Sequence, residues 1–131
     1  MRSRHISRVV AASPAVVYEY AADPANLPAW AAGLAEGEVR QEGDAVVVDS
    51  PMGRVEVTFV RRNPFGVLDH DVRLPSGEVV TNPVRVLAHP EGAEVVFTLR
   101  QLGLSDADFE RDAAMVERDL EALARIVEGD A

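Results

Sequence analysis

The stretch from Ser105 to Glu128 constrains this chain more than any other. Phe109, Ala113, Val116, Leu120, Leu123 and Val127 recur at alternating steps of four and three, and Arg111, Arg118, Glu121 and Arg125 fill the opposite side. That spacing predicts one long amphipathic helix with a single apolar stripe. Ser105 provides an N-cap, Asp106 and Asp108 complement the dipole of the first turn, and Gly129 closes the far end. Such a helix cannot bury its stripe alone. The preceding residues must supply a concave apolar surface for it.

They do so in two parts. Residues 4–11 read as a first strand, rich in Val and Ile. Ser13-Pro14 then starts a short helix with Val17, Tyr20 and Ala21 on its buried side, and Asp23-Pro24 starts another, carrying Leu27, Trp30 and Leu34, with Gly33 near its end. From Glu36 to Gln101 the pattern switches to period two. Turn signals recur at Gly43-Asp44, Pro51-Met52-Gly53, Asn63-Pro64-Phe65-Gly66, Pro75-Ser76-Gly77 and Pro90-Glu91-Gly92 and separate six strands. Strands joined by short turns form an antiparallel meander. The expected architecture is α+β: a seven-stranded curved antiparallel sheet whose first strand pairs with its last, gripping the long C-terminal helix, with two short helices after strand one. A sheet wrapped around one helix leaves space at its mouth, and that space is the expected binding cavity.

Composition narrows the partners. The 131 residues fit one domain, residues 1–131, and 47% hydrophobic content is enough for its core. A net charge of −9 and thirteen basic residues, all Arg and none clustered, argue against nucleic acid. With no cysteine, disulfides and thiolate-ligated metals are excluded, and no apolar run is long enough to span a bilayer. The amino end, Met1-Arg2-Ser3-Arg4-His5, has no signal-peptide core, so a cytoplasmic location is expected. His5, His70 and His89 show no paired spacing, and no metal or other cofactor is expected.

The layout resembles the START-like, Bet v 1-like (SRPBCC) superfamily, and within it a bacterial subgroup named after polyketide cyclases and dehydratases. Val10-Ala11-Ala12-Ser13-Pro14-Ala15-Val16-Val17-Tyr18 and Asp23-Pro24-Ala25-Asn26-Leu27-Pro28-Ala29-Trp30 carry the first part of the likeness. Gly66-Val67-Leu68-Asp69-His70-Asp71-Val72, Asn82-Pro83-Val84-Arg85-Val86 and Glu94-Val95-Val96-Phe97-Thr98-Leu99 carry the rest. The resemblance implies a helix-grip fold. For function it implies a ligand carrier or sensor, a cyclase or dehydratase, or a co-chaperone-like interaction module. Only one Trp, two Tyr and four Phe are available to line an aromatic pocket.

Strand alternation selects the candidate residues. It places Leu68, His70, Val72 and Leu74 on one face and Asp69, Asp71 and Arg73 on the other. His70 is then a polar group on an apolar face: either a core histidine satisfied by backbone, or the acid/base of the enzymatic reading. Asn82, beside Pro83, either faces the same cavity or caps a bulge. Trp30 forms a lid wall or packs in the core. Arg61 either turns inward at the rim to meet a ligand carboxylate or ends its strand in solvent. Phe59, Phe97, Leu99 and Val116 complete the apolar wall, and Met115 suits a pocket of irregular shape. The expected partner is a small hydrophobic molecule. Ala45-Val46-Val47-Val48 is apolar on both faces and is either a covered edge or a contact in a homodimer, a further possible partner.

Overall fold

Short polar side chains cap the first helix, the 3-10 turn after it and the long C-terminal helix. The computed structural model describes residues 1–31, 39–50 and 53–129, so the expected positions Gly33, Leu34, Pro51 and Met52 lie outside the described residues. Strand β1 (Ser3–Val10) leads into helix α1 (Pro14–Ala21), where Ser13 Oγ accepts from the Val16 amide at 3.2 Å. Asp23 Oδ1 accepts from the Ala25 amide at 3.0 Å and caps a 3-10 turn, Pro24–Asn26. The four-residue helix α2 (Leu27–Trp30) follows directly. Tyr18, not Tyr20, joins Val17 and Ala21 on the buried side of α1. Its hydroxyl accepts from the Asn63 amide at 2.9 Å, and the Arg62 guanidinium lies 5.5 Å from its ring centre.

Seven more strands follow: β2 (Val39–Glu42), β3 (Ala45–Ser50), β4 (Gly53–Phe59), β5 (His70–Arg73), β6 (Val79–Asn82), β7 (Val84–His89) and β8 (Gly92–Arg100). As expected, the first strand pairs with the last, Ser3 opposite Arg100 through Val10 opposite Ala93. Strand β3 is interior, between β2 and β4, and Val46, Val47 and Val48 are all buried. Among the described residues the expected single sheet of seven strands is corrected to eight strands in two antiparallel sheets, ordered β1-β8-β7 and β2-β3-β4-β5-β6.

Pro83 is the reason. It interrupts what would otherwise be one strand, because proline has no N–H to give a ladder. On one side of it Asn82 pairs with His70, and on the other Val84 pairs with Phe97. The chain before β5 holds the break together: Leu68 N donates to Val84 O and Val86 N to Gly66 O, both at 2.8 Å. Gly66 has φ +71°, and a Cβ there would lie 2.3 Å from Val86 O, so only glycine fits. Asp69 closes the seam. Its Oδ1 accepts from the Val84 amide at 2.8 Å and from Arg85 Nε at 3.0 Å, and its Oδ2 from Arg85 Nη2 at 2.7 Å.

Helix α3 (Asp106–Val127) has 22 residues and spans about 33 Å. Ser105 Oγ accepts from the Asp108 amide at 3.1 Å, fulfilling the expected cap. Phe109, Ala113, Leu120, Leu123 and Ala124 are buried, and all but Phe109 join one core with Ile6 and Val10 of β1, Val95 of β8, and Leu27 and Trp30 of α2. At the solvent edge Arg2 and Arg4 pair with Asp106, Glu110 and Glu117, contacts too exposed to contribute much each.

Replacing Asp69 by Ala leaves the Val84 amide without its acceptor and is expected to cost about 2 kcal/mol, read from urea unfolding. An unchanged midpoint would show that the seam does not depend on this carboxylate.

Candidate functional site

Where α3 crosses the sheet beside α2, side chains leave a cavity of about 240 Å³. Leu27, Trp30 and Ala31 form one wall. The sheet contributes Phe59, His70, Asn82, Phe97 and Leu99, and α3 contributes Asp112, Met115, Val116, Asp119 and Leu120. Met115 and Val116 are only half-buried because they border this space. A wider depression of about 580 Å³ lies between α1 and residues 63–66, with Phe65 exposed at its rim. It contains no buried histidine or carboxylate, so the cavity under α3 is the stronger candidate.

His70 is 5% exposed and sits on β5 with Val72 buried on the same face and Asp71 and Arg73 turned outward. Register places Phe59 opposite it on β4 and Asn82 opposite it on β6. The Phe59 and Phe97 rings lie 5.0 and 6.0 Å from the imidazole. Nδ1 is 3.1 Å from the Leu68 carbonyl oxygen. A carbonyl only accepts, so Nδ1 carries the proton. Burial pushes the pKa of His70 down, against smaller opposing effects of the Leu68 bond and of Asp69 and Asp71. The neutral ring therefore has a lone pair on Nε2, and Asn82 Nδ2 donates to it at 3.4 Å. Despite the break at Pro83, Asn82 lines the cavity.

The structure brings together Trp30, Phe59, His70, Asn82, Phe97, Met115 and Val116. Two expected site residues do not join them. Arg61 lies beyond the end of β4 at Phe59 and is exposed, so it is a solvated residue past the strand and not a rim cation. Leu68 is 4% exposed and packs in the core, where its backbone is engaged at the seam with β7, so it is not a lining residue.

Two lining residues, Asp112 and Asp119, escaped the sequence reading. They stand seven apart on either side of Met115-Val116, and that spacing on the shoulder of the stripe was the available signal. Burial, and secondarily the charge of Asp108, pushes the Asp112 carboxyl up in pKa. Among the described residues no Arg lines the cavity. Trp30 is 7% exposed, and its indole N–H is buried without an acceptor among the described residues. Among those residues no three His, Cys, Asp or Glu are grouped to hold a metal ion, and no helix is long and apolar enough to cross a membrane.

Residues 1–128 match the family model described as polyketide cyclase / dehydrase and lipid transport. No curated protein matches the chain. Among solved structures, the Aha1 dimer from Colwellia psychrerythraea superposes with a TM-score of 0.79 at 13% identity, covering 99% of this chain and 98% of that one. Protein CV1439 from Chromobacterium violaceum gives 0.70 at 19% identity over 98% and 99%. DynU16, a protein in the dynemicin biosynthetic locus, gives 0.73 at 17% identity over 96% of this chain and 47% of its own. At these identities the structures establish a shared SRPBCC, Bet v 1-like fold, and the family match covers nearly the whole sequence. The chain belongs to the polyketide cyclase / dehydrase and lipid transport family.

Proposed function

We propose that this protein binds a small hydrophobic molecule in the cavity between the sheet and α3, as a carrier or sensor. The observation that carries this reading is an apolar cavity of about 240 Å³ whose buried histidine has both ring nitrogens engaged. That volume falls just below the ~300–1,000 Å³ usual for drug-sized ligands. A compact ligand suits it better than a long acyl chain.

The alternative, a cyclase or dehydratase with His70 as acid/base, needs a nitrogen free to take or give a proton. Here Nδ1 serves the Leu68 carbonyl and Nε2 receives the Asn82 amide, so proton transfer requires one of these contacts to open first. Arg61, the other residue suited to stabilise an enolate, stands outside the cavity. The dimeric state of the Aha1 relative supports a second copy of this chain as a further partner.

The binding reading is tested with N-phenylnaphthylamine, a neutral fluorescent probe. Its emission is expected to rise with saturation on the native chain and to fall at least about fivefold on Val116→Phe, which fills the cavity. Equal binding to both proteins would place the probe elsewhere and remove the support for this cavity.

A second expectation concerns pH. Because the folded state holds His70 with a lowered pKa, the unfolded state binds more protons below its ordinary value near 6.5. Stability contributed by neutral His70 is thus present at neutral pH and lost as pH falls. As pH falls below about 6.5 the unfolding free energy should drop, and His70→Gln should flatten that fall. The same slope in both proteins would contradict a neutral buried imidazole.

A further inference from the structure

We infer that the Asn82 carboxamide determines the specificity of the cavity and selects neutral ligands that carry a carbonyl beside an N–H: a lactam, imide or carboxamide. This rests on the binding reading above and specifies its ligand class. Asn82 is held in one orientation by its neighbour. Leu68 O fixes the proton of His70 on Nδ1, so Nε2 accepts, and Asn82 turns its NH₂ group toward the imidazole at 3.4 Å. That contact uses one of the two N–H groups. The other N–H and the carbonyl oxygen have no hydrogen bond among the described residues. Nor is that oxygen sealed in the core, because the one buried side-chain polar atom without a partner among those residues is the Trp30 indole nitrogen. Asn82 is partly exposed and lines the cavity beside His70.

A planar carboxamide with one acceptor and one donor to spare is matched by a ligand group that has the reverse pair on neighbouring atoms. A lactam does this with a single edge and forms two hydrogen bonds at once. A ketone, ester or lactone accepts from the N–H but leaves the Asn82 oxygen unpaired, and keeping a polar atom dry and unpaired costs more than the bond it lacks. A hydroxyl reaches one of the two groups at a time. A carboxylate has no donor, and it meets Asp112 on the α3 wall, half-buried and without a hydrogen bond among the described residues. The surroundings suit a flat ring. Phe59 and Phe97 stand 5.0 and 6.0 Å from the imidazole, and Leu27, Trp30 and Val116 border the same space.

The experiment titrates carbostyril and coumarin into the full chain at neutral pH by isothermal titration calorimetry. The two share a bicyclic skeleton and a carbonyl, and differ at one ring position, N–H in the lactam carbostyril and oxygen in the lactone coumarin. Carbostyril is expected to bind about tenfold more tightly. In Asn82→Leu that preference should fall to within about twofold, while coumarin binding persists and shows that the protein is folded. If this variant does not fold, Asn82→Ala is expected to reduce the preference in the same way. Coumarin binding as tight as carbostyril binding, or a preference that survives the loss of Asn82, overturns the inference and leaves the cavity reading intact. Binding of neither compound also overturns the inference, and the cavity reading is then decided separately by the N-phenylnaphthylamine titration.

Discussion

Burial of one face of α3 is the constraint on which the rest depends. A stripe from Phe109 to Leu123 loses contact with water only if the chain before it curves around the helix. Strands β1 and β8 meet along their full length beneath it, and α2 packs against it from the side. Packing is tight at Phe109, Ala113, Leu120, Leu123 and Ala124 and loose at Met115 and Val116. The cavity is the place where a curved sheet and a straight helix part company.

Pro83 has a second effect beyond dividing the sheet. By breaking the ladder it leaves the Val84 amide to a side chain, and Asp69 takes it together with the Arg85 guanidinium. The Arg85 pairing holds the Asp69 carboxyl below the usual range, so the seam is strongest above the pH at which free aspartate titrates and weakens as pH falls through the lowered value. One residue after Asp69, the start of β5 presents His70 to the inside. Its tautomer follows from a backbone carbonyl two residues back, and the orientation of Asn82 follows from the tautomer. A polar feature of the cavity wall is thus determined by backbone geometry at the seam.

Much of this was legible in the residues. The three-four spacing of α3 and the caps at Ser13, Asp23 and Ser105 stand in the structure as read, and strand alternation correctly turned His70 inward. Period-two patterns carry which face a residue occupies but not where a ladder breaks, so eight strands read as seven. Of the two readings of Arg61, the inward one needed alternation to run past Phe59, where β4 ends, and the solvated one stands. Leu68 faced inward as expected but toward packed core, a distinction that depends on three-dimensional neighbours. Asp112 and Asp119 were passed over because a carboxylate on a helix shoulder ordinarily faces water; only α2 and the sheet edge turn that shoulder into a wall.

The central claim is that the space beneath α3 admits a molecule. Methyl-detected NMR of Met115 and Val116 during titration with a neutral aryl compound measures this most directly, since both side chains border the cavity. The expected result is saturable shifts at these methyls and at the His70 ring, with Val86 and Ala88 in the outer depression unmoved. Shifts confined to Val86 and Ala88, with Met115 and Val116 unchanged, would contradict it and move the site to the outer face beside α1.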